Sequence, residues 1–249
     1  MQKNILLVPI VLVIIGGVVF WINSQKPKDG NIDSGDSTYN ISIDPGKFVS
    51  AVTNRYFTLK TGTKFTYENQ TDEGLERIEV VVTSEVKTVM GVAVTVVRDR
   101  VWLDDVLVED TRDWYAQDKD GNVWYFGEQV DNYEDGVLKD NSGSWEAGVD
   151  GALPGIIMKA DPKLGDSYRQ EYFKGQAEDM ADVVALDKEV SVPYGSYTNC
   201  LQTRDWSRIE TTLNEYKYYC SEVGFVVLEE AVSGGGEKVR LVSAATVSE

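Results

Sequence analysis

The chain reads as mainly β: a curved antiparallel meander or half-barrel, preceded by one N-terminal transmembrane helix. Three observations predict this. Valine-rich stretches alternate apolar and polar residues, turn signals recur between them at short intervals, and an unbroken apolar run opens the sequence. At 249 residues with 42% hydrophobic content, enough apolar material is present for a substantial core.

The first element is ILLVPIVLVIIGGVVFWI, residues 5–22, behind a short flank, 1–4, that carries Lys3. As a helix this run rises about 27 Å, close to the roughly 30 Å hydrocarbon layer. Trp21 sits where an interfacial aromatic belongs, and the bulky Phe20, Trp21 and Ile22 do not make a signal-peptidase site. An uncleaved anchor with its N-terminus inside is the expected reading. Residues 23–46, NSQKPKDGNIDSGDSTYNISIDPG, then change character to Ser, Asp, Gly, Lys and Pro, the composition of a flexible linker. Asn40 and Asn69 begin glycosylation sequons.

From residue 47 to 249 the pattern is that of one extracytoplasmic β-domain. RIEVVVTSEV (77–86), GVAVTVVRDRVW (91–102) and ADVVALDKEVSV (181–192) read as strands. Asp104-Asp105, Asp120-Gly121, Asp135-Gly136, Asp150-Gly151 and Pro193-Tyr194-Gly195 read as turns. GQAEDMADV (175–183) is the one place where a helical turn competes. A weak internal repeat runs through the domain at an offset of 103–104 residues. LKTGTKF (59–65) falls on PKLGDSY (162–168), MGVAVTVV (90–97) on YGSYTNCL (194–201), and DGNVW (120–124) on VGFVV (223–227). Two related meanders, about 56–128 and 159–231, are therefore expected, joined by GSWEAGVDGALPGIIM (143–158), which either crosses between them or forms a lid.

DWYAQDKDGNVWYFGE (113–128) concentrates acids and aromatics. Counting Gly121 as the sixth position of an EF-hand loop puts Ala116 at the first and Gly127 at the twelfth, so the loop fails at both ends. A tight hairpin using the positive φ that Gly121 tolerates is the better reading. No metal site is expected. Cys200 and Cys220 are equidistant from Glu210, the centre of the hairpin between strands 197–207 and 213–221. Antiparallel pairing would place them opposite one another within disulfide range, although two buried thiols would also fit there.

The chain has no histidine, which excludes Ser-His-Asp and Cys-His catalysis and histidine-ligated metals. A net charge of −17 repels nucleic acid phosphates, so no nucleic-acid partner is expected. Acid pairs such as Glu109-Asp110, Glu178-Asp179 and Glu229-Glu230 could in principle serve a glycosidase, yet nothing selects one pair among the acids. No catalytic residues and no cofactor are expected, and the chain is not read as an enzyme. Trp114, Trp124, Trp145 and Tyr172 are the candidate ligand contacts, against the alternative that the aromatics simply form core.

DWYAQDKDGNVWYFGE, SWEAGVDGALPGIIM, GDSYRQEYFKGQAEDMADV and YYCSEVGFVVLEE resemble successive blocks of a family of uncharacterised bacterial secreted or envelope proteins over roughly residues 54–231. YFTLKTGTKFTYE also resembles the first strand of lipoprotein-carrier-like (LolA-like) half-barrels, which implies a curved sheet cupping a lipid. Neither resemblance brings catalytic residues. The expected function is that of a membrane-tethered extracytoplasmic domain in binding or assembly. A lipid-like ligand, a protein partner in a cell-surface assembly and a glycan are the alternatives.

Overall fold

The computed structural model describes residues 39–210, 213–233 and 238–247, and the backbone alone of 11–13 and 18–20. Those last two stretches, β1 (Val11–Val13) and β2 (Val18–Phe20), pair antiparallel. The transmembrane helix expected over 5–22 otherwise lies outside the described residues, as does the linker up to residue 38. Among the described residues no helix is long and apolar enough to cross a membrane.

The domain is built from antiparallel strands. A 3-10 turn, Pro45–Lys47, is capped by Asp44, whose side chain accepts from Gly46 N, and leads into β3 (Phe48–Val49). A small hairpin follows, β4 (Val52–Asn54) and β5 (Phe57–Leu59). Then come β6 (Thr63–Gln70), β7 (Leu75–Val89), β8 (Val92–Leu103), β9 (Val106–Asp118) and β10 (Val123–Glu134). Two short strands, β11 (Val137–Asp140) and β12 (Trp145–Glu146), pair back onto β10 before β13 (Leu153–Met158). The second run is β14 (Ser167–Arg169), β15 (Glu171–Tyr172), β16 (Asp179–Val192), β17 (Gly195–Ser207), β18 (Asn214–Cys220), β19 (Phe225–Ala231) and β20 (Lys238–Thr246).

The large sheet runs β14-β16-β17-β18-β19-β20-β6-β7-β8-β9-β10-β13-β15. Its two ends, β14 and β15, are consecutive in the chain and separated only by Gln170. Ser167, Tyr168 and Arg169 pair with β16, while Glu171 and Tyr172 pair with β13. Gln170 N donates to Asp179 O at 2.8 Å, so the sheet is a barrel closed but for this one-residue break. An open half-barrel, one form of the curved meander expected from sequence, would leave β13 and β16 as bare edges, and the stretch 167–172 covers both. Gly155 makes the seam possible: a Cβ there would stand 2.3 Å from the Gln170 carbonyl carbon. The stretch 143–158 thus crosses between the two runs and enters the sheet as β12 and β13. The helical turn considered for 175–183 is absent; Phe173 bridges Ala177 and β16 begins at Asp179.

Strand alternation sorts the side chains. Outside, Lys64, Arg77 and Arg100 surround Glu79, Arg98 pairs with Asp110, and Arg112 pairs with Asp131. That charged ladder is the opposite of the apolar band a membrane-spanning barrel presents to lipid. Inside, one end is aromatic. The β4–β5 hairpin plugs it, with Phe57 packed edge-on against Tyr115 at 5.1 Å and tilted against Phe225 at 4.8 Å, while Phe65 stacks on Phe225 at 4.7 Å.

The turns before β6 and β14 are made alike. Gly62 N donates to Val82 O at 2.8 Å and Gly165 N to Val183 O at 2.9 Å. Thr63 N donates to Lys60 O, and Asp166 N to Lys163 O. Both long hairpins, β7–β8 and β16–β17, are interrupted by register shifts, at Val82/Val86 and between Val183 and Val190. Beyond the shifts they peel away from the following strand. Pairing of β8 with β9 ends at Thr95 opposite Tyr115, and pairing of β17 with β18 ends at Leu201 opposite Tyr219. One residue further, Cys200 and Cys220 form the expected disulfide, with Cα atoms 4.4 Å apart.

Candidate functional site

Two places in the barrel combine unusual chemistry with defined geometry: the interior of the end opposite the aromatic plug, and a groove beside the plug.

The interior is lined by carboxylates. The inward faces carry Glu76 on β7, Asp99 on β8, Glu109 and Asp113 on β9, Glu128 on β10 and Glu171 on β15, all buried. From the second run come Asp205, Glu215 and Glu229, also buried, and Asp179, half-buried. The register brings them side by side: Asp113 lies opposite Glu128, Asp205 opposite Glu215, and Lys217 opposite Glu229. Lys217 is the one lysine among the buried residues; its Nζ stands 3.3 Å from Glu215 Oε1 and 3.6 Å from Asp205 Oδ2. Neutral donors serve others. Tyr125 Oη donates to Asp113 at 2.7 Å, Thr111 Oγ1 to Glu109 at 2.8 Å, Asn69 Nδ2 to Glu76 at 3.0 Å, and Gln170 Nε2 to Asp205 at 3.2 Å.

Burial decides the protonation of this lining. Removal from water pushes Glu109 and Glu229 up to about 8 and Asp113 and Asp179 to about 7. Glu128 and Glu171 are driven well above the usual carboxylate range by the same cause. Burial works to lower Lys217, but Glu229, Glu215 and Asp205 together raise it well above the usual lysine value, so it stays charged. Glu109, Glu128 and Glu171 thus hold their protons to higher pH than exposed carboxylates do, and Lys217 offsets the charge of the acids beside it, which keeps the desolvation cost tolerable. Both carboxylate oxygens of Glu229 are buried with no hydrogen-bond partner among the described residues. Among the described residues no three acidic or thiol groups converge as metal ligands would.

The groove lies at the plugged end, under the tip of the β16–β17 hairpin. It is an open groove of about 650 Å³, within the range of ligand sites, lined by Tyr194, Tyr197, Phe65, Val223, Ala244 and Ala245, with Lys60, Glu222 and the threonines at 58, 63 and 246. Tyr194 N donates to Leu241 O at 3.1 Å, which holds the hairpin tip over β20. Burial, with Tyr194 and Glu222 nearby, raises the Tyr197 phenol.

The aromatic residues singled out from sequence do not gather at either place. Trp114 is buried on the outer face beneath Lys87, whose Nζ stands 3.4 Å from the ring centroid. Trp124 is half-buried, donates to Asp118 at 2.8 Å and is met edge-on by Phe48. Trp145 is buried against Tyr125, and Tyr172 lies at the seam beside Tyr39 and Arg169. Tyr39 also donates to Pro154 O, so the end of the segment read as linker, 39–46, lies against the barrel. In the pairs Glu109-Asp110 and Glu229-Glu230, one carboxylate points inward and its neighbour outward, to Arg98 and to Lys238. Asn69 is buried and bonded, so its sequon is inaccessible in the folded domain, whereas Asn40 is exposed.

The inward acids carried a signal that sequence reading missed. Glu109, Thr111, Asp113 and Tyr115 share one parity on β9, and Glu215, Lys217 and Tyr219 share one on β18. Polar residues in phase with aromatics, on strands whose other face is also charged, point to a polar interior.

The chain matches no known protein family and no curated protein. One solved structure, a "putative lipoprotein" from Parabacteroides distasonis, superposes with a TM-score of 0.42 at 12% identity, covering 76% of this chain and 98% of that one. A likeness of that degree carries no argument.

Proposed function

We propose that the chain is an exported, membrane-tethered and non-catalytic assembly module, built from two related six-stranded halves that close into one barrel and engage a protein partner through the outer surface. The observation that carries this reading is the filled interior. Aromatic side chains from Phe57 to Phe225 occupy one end, and carboxylates around Lys217 line the other. A lipid chain finds no apolar cup there, so the LolA-like reading is the weaker one. A sugar-stacking platform on the named tryptophans is weaker too, because Trp114 and Trp145 are buried and Trp124 is half-buried with Phe48 edge-on against it. Export is supported by the Cys200–Cys220 bridge, which suits an oxidising compartment, and by the apolar run at 5–22. The matched turns at Gly62 and Gly165 and the matched peeling hairpins support the two-half construction.

Native mass spectrometry of the 39–249 fragment, which holds every strand of the barrel, tests the reading. The expected mass is that of the polypeptide less two hydrogens for the disulfide. A stoichiometric lipid adduct would return the protein to the carriers.

A further inference from the structure

At the end opposite the aromatic plug, the outer face of the barrel carries an apolar band. Arg77 on β7 pairs with Trp102 on β8, Trp102 with Leu107 on β9, and Tyr133 on β10 with Leu138 on β11. Residues directly opposite one another share a face of the sheet. That face is the outside: Arg77 bonds Glu79 there, and Tyr133 follows Asp131, the partner of Arg112, at the strand period of two. Trp102, Leu107 and Tyr133 are half-buried, while Leu138 is 51% exposed and Leu75, two residues before Arg77, is 43% exposed. The guanidinium carbons of Arg77 and Arg100 lie 4.1 and 5.0 Å from the Trp102 ring centroid. Tryptophan, tyrosine and arginine are the residue types that dominate binding energy in protein interfaces.

Charge divides across this band. On its loop side the turns 71–74, 104–105 and 134–136 carry Asp72, Glu73, Asp104, Asp105, Glu134 and Asp135, with Lys139 paired to Glu134. Within the band and on its other side, Lys64, Arg77, Arg98, Arg100 and Arg112 outnumber Glu79, Asp110 and Asp131. Glu68 and Arg240, opposite one another on β6 and β20, cancel. Arg98 stands directly opposite Arg112, a like-charge pair that costs stability. Asp110 is bound to Arg98, but Asp131 reaches Arg112 only at 3.7 Å.

We infer that two copies of the chain meet at this band, related by a two-fold axis through it, so that the acidic turns of each lie over the arginines of the other. A two-fold interface must be self-complementary, and acid, apolar band and arginine in succession meet that condition when one copy is reversed. The rotation lays Trp102 and Leu107 against their counterparts. It also carries the 104–105 turn, where the Asp105 side chain is 95% exposed, toward the facing Arg98 and Arg112. A basic protein would suit the turns but not the arginines, and an acidic one the reverse; a second copy answers both. The inference deepens the assembly reading above, on which it rests, by naming the partner. The band is small and each chain carries −17, so the interface belongs to the weak class. It forms between chains concentrated on one membrane and is dissociated in dilute solution.

Sedimentation equilibrium of the full-length chain in density-matched non-ionic detergent, from about 1 µM to about 300 µM at about 0.15 M salt, is the test. The protein mass should rise from one chain toward two. Trp102→Ala should weaken the dimer about tenfold or more. Leu138→Asp, on an exposed strand outside the main path of the sheet, should do the same and keeps the test valid if the tryptophan variant does not fold. Arg112→Glu, which sets acid against the facing acidic turn, should weaken it by a similar factor. A chain that stays monomeric overturns the inference. So does association that Trp102→Ala and Leu138→Asp leave unchanged, which would arise elsewhere in the chain. Dimers as tight in Arg112→Glu as in the parent would contradict the two-fold placement. A monomer throughout leaves the assembly reading to a different protein, whereas a lipid adduct in the mass measurement above ends that reading, so the two failures are distinct.

Discussion

Glu109 shows at the residue scale what the interior demands. Its carboxyl accepts from Thr111 and is otherwise surrounded by other acids, so burial holds its proton up to about 8. A group whose folded value lies above its unfolded one binds protons preferentially in the native state. Its contribution is fully present below about pH 4 and is lost as pH rises toward 8. Glu109→Gln keeps the Thr111 bond through its amide oxygen and removes the proton requirement. Urea unfolding should show the variant more stable than the parent at pH 8, by on the order of 4 kcal/mol, and little changed at pH 5. Lys217→Met is the converse. It strips the buried ammonium from Asp205, Glu215 and Glu229 and should cost about 3 kcal/mol at pH 8. The loss should be smaller at pH 5, where Glu229, held up to about 8, is protonated.

At the scale of the element, the seam and the disulfide hold together what the meander alone would not. Gly155→Val would press a side chain into the Gln170 backbone and open the seam between β13 and β15. An unfolding midpoint lowered by several degrees is the expected outcome, read by circular dichroism. Replacing Cys200 and Cys220 by valine should cost about 3 kcal/mol by the chain-entropy argument for a separation of 20 residues. These elements also show how far the sequence could be read. Alternation in β7, β8 and β16 announced their strands, and the symmetric placement about Glu210 announced the bridge. The place of closure was hidden because it depends on a strand broken at Gln170 and on β13, which emerges from a Gly-rich connection with no alternation of its own. Over 175–183 the competing helical turn gives way to strand from Asp179 onward because pairing with β17, not local preference, sets the conformation there.

At the largest scale, the described residues from 39 onward form a barrel whose outer face is an ion-pair ladder and whose inner face is aromatic at one end and acidic at the other. Sequence composition showed the acidity but not its side, since a net charge of −17 reads as a solvated surface until the register turns part of it inward. For Asp113, Asp179 and Glu229 the sign is the same as for Glu109: folded values are raised, so their contribution to stability declines from about pH 5 to pH 8. The most direct test is a carboxyl-carbon NMR titration of the 39–249 fragment labelled at Asp and Glu side chains. Midpoints near 7 for Asp113 and Asp179 and near 8 for Glu109 and Glu229 are expected. Midpoints near 4 for all of them would mean that these side chains meet water, and the acid-lined, side-chain-filled barrel would be wrong.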